Sequence, residues 1–322
     1  MILVGDIGGT NTRLALFEGL QHTHIDIFPS GQYAGLDEIA ALFLKQTGAS
    51  VEAACFGIAG PVRDGVAKVS NLPWVVDARQ ISVRLAIERV SLLNDLEANA
   101  HGIAVLDPSD FVTVNEGAAN SMGNWALISA GTGLGEAGLL AEGSGHRPFA
   151  SEGGHSDLAP RNELEIELLR YLLKRWSRVS YERVLSGPGL LNIYQFLRDT
   201  GRGAEPPWLT EQMHHENPSA VVSETALAGT AEICVQALDM FVAIYGAEAG
   251  NLALKLMATG GVFVGGGIAP KIAPKLQDST FMKAFADKGR FRSLLESIPV
   301  RVIMNDKTAL LGAANYAAGA AP

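Results

Sequence analysis

Cysteine is nearly absent: Cys55 and Cys234 are the only two in 322 residues, in separate apolar segments and with no CxxC pair. That argues against a disulfide framework and points to a reducing compartment, the cytoplasm. Basic residues are also in deficit. Against 34 Asp and Glu stand 25 Lys and Arg, a net charge of −9. No broad cationic face is then expected to meet a nucleic acid, although a small local phosphate site stays open. No uninterrupted apolar run is long enough to span a bilayer. The chain starts on the strand-like Met1–Val4, with neither a basic leader nor a signal-peptide core before it. Short repeats and low-complexity linkers are missing too. A soluble cytoplasmic protein is expected.

What is present is ordinary globular composition, 48% apolar and 18% charged, with length enough for two compact domains. Glycine is the exception. Its 36 copies cluster at Gly8–Gly9, Gly131/Gly133/Gly135, Gly153–Gly154, Gly260–Gly261 and Gly265–Gly267, several of them just after short apolar runs. Such placement suits strand ends where backbone must come close to a ligand.

Strands are expected at Ile2–Gly5, Arg13–Phe17, His24–Phe28, Ala53–Ile58 and Val90–Leu93. Helical spacing marks Leu36–Lys45 and a segment from Leu96 to Ala104. A second round follows. Strands are expected at Trp125–Ala130, Glu136–Ala141, Gly261–Val264 and Val300–Ile303, and helices at Glu163–Arg175, Gly189–Arg198 and Thr308–Ala318. Glu211–Pro218 is polar and punctuated and is expected to include a surface turn. Ser219–Met257 reads as two long helices broken near Gly246 or Gly250, and another helix is expected to start near Pro270. Alternating strands and helices in two related halves describe an α/β protein.

Three motifs carry chemistry. In Gly5-Asp6-Ile7-Gly8-Gly9-Thr10-Asn11, adjacent glycines let backbone N–H groups converge on phosphate oxygens, with Thr10 and Asn11 adding donors. Asp6 is a carboxylate for Mg²⁺, directly or through water. No Gly-Lys-Ser/Thr follows, so this is not a Walker loop, and a strand rather than a helix follows it, so it is not a dinucleotide fingerprint. An ordinary hairpin would carry the same turn residues. Ser129-Ala130-Gly131-Thr132-Gly133-Leu134-Gly135 repeats the layout in the second half. The third, Gly260–Lys271, is a strand ending in Gly265-Gly266-Gly267, where an adenine could lie against backbone.

In this order the motifs resemble the acetate kinase, hexokinase and actin superfamily, and their wording resembles the proteobacterial-type glucokinase family. The resemblance rests on Val4–Leu16 (VGDIGGTNTRLAL), Leu93–Glu97 (LNDLE), Ala130–Gly135 (AGTGLG), Ser151–Pro160 (SEGGHSDLAP), Glu182–Tyr194 (ERVLSGPGLLNIY) and Gly260–Lys271. It implies a two-domain actin-like, hexokinase-like ATPase (ribonuclease H-like) fold with a cleft between domains. Residues 1–105 with 297–322 would form a small α/β domain and 106–296 a large one.

It also implies ATP-dependent phosphorylation of glucose at its 6-hydroxyl, with Mg²⁺, by a homodimer. Asp95 matches the family's general base, which orients the hydroxyl and takes its proton; locally, Asn94 or Asp95 reads equally as a helix cap. Asn94, Glu152, His155 and Glu182 match the sugar ligands, with Gly133 approaching through its backbone. Carboxylates and an imidazole can pair vicinal hydroxyls. Glu152 and His155 could also suit zinc, but no cysteine cluster accompanies them. Gly5–Asn11, Gly131, Thr132 and Gly265–Gly267 would hold ATP. Asn71 is placed near the sugar. Kinases of another hexose or an amino sugar share such a fold, and a sugar-sensing regulator without transfer would be marked by loss of Asp95 or an added DNA-binding helix-turn-helix.

Overall fold

The computed structural model describes residues 1–70, 72–143 and 145–319. Asn71 therefore lies outside the described residues. The chain divides into two compact units. The first comprises Met1–Pro108, Glu142–Ala150 and Asn305–Pro322, and the second Ser109–Ala141 and Ser151–Met304.

The first unit begins with strands β1 (Ile2–Ile7), β2 (Asn11–Glu18) and β3 (Gln21–Pro29), then helix α1 (Leu36–Thr47) and strand β4 (Ala53–Ile58). Three short strands, β5 (Val62–Arg63), β6 (Val66–Lys68) and β7 (Val75–Asp77), form a small sheet of their own. Helix α2 (Ala78–Leu85), strand β8 (Arg89–Asn94) and helix α3 (Asp95–Ile103) follow. The main sheet runs β3-β2-β1-β4-β8. Its first three strands are antiparallel, while β1, β4 and β8 are parallel. Burial follows that order. Every residue of central β4 is buried, as a parallel strand covered on both faces requires, while edge β3 is mostly exposed.

The second unit holds strands β9 (Phe111–Asn115), β10 (Trp125–Ala130) and most of β11 (Leu134–Glu142); β12 (Gly145–Ser151) comes next in the chain. Helices α4 (Glu163–Leu172), α5 (Gly187–Asp199), α6 (Pro207–His215), α7 (Pro218–Ala228) and α8 (Glu232–Leu256) precede strand β13 (Gly261–Gly265). Helices α9 (Ala273–Leu276), α10 (Ser279–Ala286) and α11 (Arg292–Glu296) and strand β14 (Val300–Ile303) complete it. Helix α12 (Thr308–Gly319) returns to the first unit and packs under β1 and β4, with Leu310 and Ala313 against Val4 and Cys55. The hairpin plan recurs: β10 and β11 are antiparallel, and β10, β13 and β14 are parallel. The sequence reading groups residues 297–322 with the first domain. Strand β14 instead pairs with β13 and β9 in the second unit.

The polar stretch at Glu211–Pro218 contains the expected turn at Glu216–Asn217, where Asn217 caps α7, and its first residues are the end of α6, which runs to His215. The two long helices break at Gly229, in the left-handed region at φ 67°, and not at Gly246 or Gly250. Those two glycines lie inside α8, where a Cβ would sit 2.2 Å from the Phe281 carbonyl oxygen and 2.4 Å from that of Phe285. They let α10 pack close to α8. The helix expected near Pro270 is α9, which starts three residues later at Ala273 after a run of turns. Helix α8 is long and apolar enough to cross a membrane by length and composition, although Asp239 and Glu248 interrupt its apolar run. Most of its apolar window, 78%, is buried inside the second unit's core.

Candidate active site

Asn94 and Asp95 sit where β8 becomes α3. Pairing of β8 with β4 places Asn94 opposite Ile58. The Asn94 Oδ1 accepts from the backbone N–H groups of Leu96 (3.0 Å) and Glu97 (3.4 Å), and its Nδ2 donates to the Gly60 carbonyl at 3.1 Å. The helix-cap reading is therefore realised by Asn94. Glu97 closes the box by accepting from the Asn94 N–H, and burial holds its carboxyl above the usual range. The N-x-x-E spacing announces this arrangement, and reading Asp95 alone overlooks it. Asp95 is the first helical residue, half-buried, with Oδ1 accepting the Leu96 N–H at 3.0 Å. A carboxylate at a helix N-terminus keeps its charge in a favourable field.

The first glycine hairpin joins β1 to β2. Gly8 N–H donates to the Asn11 carbonyl at 3.0 Å. Fully buried Ser30 ties the turn down: its Oγ donates to the Gly8 carbonyl (2.8 Å), its N–H to the Thr10 carbonyl (2.9 Å), and Thr12 Oγ1 lies 3.0 Å from its Oγ. Two carbonyls are thus withdrawn from anything negative that approaches the turn, while Thr10 and Asn11 stay exposed. Asp6 lies within β1, opposite Arg13. Burial raises its pKa and the Arg13 guanidinium opposes that rise. Arg13 itself donates to the Asp306 carbonyl at 2.8 Å.

In the second unit the Gly131–Gly133 turn joins β10 to β11, with Gly131 N–H donating to the Gly133 carbonyl at 2.8 Å. Thr132 is exposed. The third motif meets this turn: Gly266 adopts φ 84°, and Ile268 N–H donates to the Ala130 carbonyl at 3.2 Å. Parallel pairing of β10 with β13 thus brings Gly131, Thr132 and Gly265–Gly267 to the carboxyl ends of adjacent strands, where open α/β sheets bind ligands. Tyr245 of α8 clamps the pair. Its hydroxyl accepts from Ala130 N–H (3.2 Å) and lies 3.3 Å from the Ile128 carbonyl oxygen.

Gly133, Glu152, His155 and Glu182 also come together. A bridge between Asp157 and Ser180, with Tyr181 N–H donating to the Ser156 carbonyl (3.0 Å), draws the two segments side by side. His155 ends the short 3-10 turn Gly153–His155, and Glu182 lies in the turn Tyr181–Arg183. The imidazole Nδ1 lies 3.9 Å from Glu182 Oε1 and its Nε2 4.0 Å from Glu152 Oε2. Glu182 Oε2 accepts the Leu134 N–H at 3.1 Å. Arg178 donates to the His155 carbonyl (2.6 Å) and to Asp157 (2.8 Å), a brace that no motif in the sequence announces. Among the described residues, no group of three or more His, Cys, Asp and Glu is arranged to hold a metal. A single carboxylate such as Asp6 suits Mg²⁺, which takes its remaining ligands from phosphate and water.

Of the described residues expected at the site, Gly5–Asn11, Asn94 and Asp95 belong to the first unit, and Gly131–Gly133, Glu152, His155, Glu182 and Gly265–Gly267 to the second. A glucokinase of Nostoc is 43% identical over 99% of both chains. The crystal structure of a glucokinase from an Antarctic psychrotroph superposes with a TM-score of 0.84 at 30% identity, covering 99% of each chain. A glucokinase of the ROK family from Streptomyces griseus, solved with glucose and AMPPNP, shares the fold alone, at a TM-score of 0.66 and 21% identity over 98% of this chain and 99% of that one. The family model for glucokinase matches residues 3–320, and the chain belongs to the glucokinase family.

Proposed function

We infer that this chain is a kinase that moves the γ-phosphoryl group of ATP to the 6-hydroxyl of glucose, giving glucose 6-phosphate and ADP. The observation that carries the reading is the bracketing of His155 by two carboxylates within 4.0 Å, beside the Gly131–Gly133 turn. Alternating donors and acceptors on rigid backbone suit vicinal sugar hydroxyls better than a metal.

Glu152, His155 and Glu182 hold the ring hydroxyls, with the Gly133 backbone alongside. Asn94 adds the Nδ2 hydrogen that is not donated to the Gly60 carbonyl. Asp95 orients the 6-hydroxyl and accepts its proton as the oxygen lone pair attacks the γ-phosphorus. A new P–O bond forms, the bond from the γ-phosphorus to the bridging oxygen breaks, and ADP leaves with that electron pair. The Gly8–Asn11 and Gly131–Gly133 turns receive the phosphates, and the adenosine lies by Gly265–Gly267. Mg²⁺, when bound, neutralises phosphate charge, and Asp6 holds it directly or through water. The enzyme works in the cytoplasm as a homodimer.

A coupled assay with ATP against a panel of hexoses and amino sugars tests the reading. Glucose should give the highest kcat/KM; preference for an amino sugar would replace the substrate assignment.

A further inference from the structure

Outside the residues that meet sugar or phosphate, the second unit contains a buried carboxylate with no evident local task. Glu136 lies on β11, opposite Ile128, and is 1% exposed. Its Oε1 has no hydrogen-bond partner among the described residues. Buried carboxylates are costly unless paired, and unpartnered ones are rare. The other oxygen shows what the side chain touches. A Cβ built on Gly153 would lie 1.9 Å from Glu136 Oε2 and 2.8 Å from its carboxyl carbon. The carboxylate therefore lies directly against the Gly153–His155 turn.

The same buried bed reaches the second turn. Glu248 of α8, fully buried, accepts from Asn251 Nδ2 at 2.7 Å and pairs with Lys255 at 3.3 Å. Asn251 also donates to the Tyr181 hydroxyl at 3.2 Å and accepts from Lys288 Nζ at 2.6 Å. Tyr181 immediately precedes Glu182 and is itself hydrogen-bonded to Glu248. Glu136 feels the charge of Glu248 and of Lys255. One polar cluster thus underlies both turns, touching the first through Glu136 and the second through Tyr181.

We propose that Glu136 is a positioning residue for the sugar subsite: its carboxylate sets the height of the Gly153–His155 turn, and hence the spacing of His155 from Glu182, without touching substrate. This rests on the assignment of Glu152, His155 and Glu182 as sugar ligands. Glu136 Oε2 fills the space beside one residue of the turn, Gly153, so a change in the length of this side chain is felt at that residue.

The test is a double-mutant cycle on the full-length enzyme. Gly153→Ala forces a methyl into the carboxylate, and Glu136→Ala removes the support. Each should raise the KM for glucose by roughly tenfold, with kcat within about threefold and the KM for ATP unchanged. Combined, they should compensate: Glu136→Ala with Gly153→Ala should be no worse than either alone, because the methyl then has room. Glu136→Gln keeps the volume and should give Gly153→Ala no relief. Should the alanine variant fail to fold, Glu136→Asp, one methylene shorter, provides the same relief. Multiplicative effects, or equal relief from Gln and Ala, would overturn the positioning role. His155→Ala separates the two readings. If it leaves the glucose KM unchanged, the sugar assignment falls and the positioning role with it. If it raises that KM while the cycle is additive, the positioning role alone falls.

Discussion

The Glu182 carboxylate and Gly133 occupy adjoining space. One Glu182 oxygen accepts the Leu134 N–H at 3.1 Å, and a Cβ added to Gly133 would lie 2.4 Å from that same oxygen. Because Glu182 also flanks His155, at 3.9 Å, the turn glycine helps to set the position of two groups at once.

Gly133→Ala should therefore push Glu182 off the Leu134 N–H and away from His155. Displacing a substrate-positioning group by about 1 Å can cost on the order of a hundredfold. The KM for glucose should rise by roughly ten- to a hundredfold, in steady-state kinetics at saturating ATP. An unchanged glucose KM would show that Glu182 has another place when sugar is bound.

Asp95→Asn should spare the architecture, since an amide oxygen can still accept the Leu96 N–H that Asp95 Oδ1 accepts at 3.0 Å. What disappears is the proton acceptor. Turnover should fall by about a hundredfold or more, with a much smaller change in glucose affinity measured by equilibrium binding. Near-normal kcat would remove Asp95 from proton transfer.

Ser30→Ala addresses the first hairpin. Buried Ser30 anchors the Gly8 carbonyl through its hydroxyl and lies 3.0 Å from Thr12 Oγ1. Losing a buried hydroxyl costs about 1–3 kcal/mol when it strands its partner. With the Gly8 carbonyl released toward the phosphates, the KM for ATP should rise severalfold while that for glucose stays close to normal. An equal rise in both would indicate general loosening of the unit.

These variants mark the limit of legibility in the sequence. Strand β4 and both glycine hairpins could be read because apolar runs end in turn residues, a local signal. The break between α7 and α8 is not legible locally, because Gly246 and Gly250 answer to Phe281 and Phe285 on another helix. Helix α6 is hidden for the complementary reason. Only Leu209 of its residues is buried, so it shows little apolar periodicity. The candidate ligands were legible through family resemblance. The residues that hold them, Ser30, Arg178, Tyr245 and Glu136, act on partners far along the chain; Tyr245 meets Ala130 across 115 positions. Such contacts exist only once the sheet has formed.

The last prediction concerns pH. Burial and the neighbouring Glu248 push the Glu136 carboxyl up to about 7, with Lys255 opposing. Tyr181 and Tyr245 also face this cluster, and burial raises both phenols well above the range in which Glu136 titrates. In the unfolded chain Glu136 returns to the usual glutamate value near 4.5. Between those values the folded state binds more protons than the unfolded state, so stability falls as pH rises. The contribution is fully present below about 4.5 and is lost once pH passes about 7, a change on the order of 3 kcal/mol. Glu136→Gln cannot ionise and should lack that component. Melting temperatures recorded for both proteins from pH 5 to pH 8.5 should therefore diverge, with Glu136→Gln gaining on the parent as the buffer becomes alkaline. His101, whose pKa burial lowers, titrates alike in both chains and cancels in the comparison. Parallel curves across that range would mean that Glu136 is already ionised at pH 5 in the folded protein, and would overturn its raised titration.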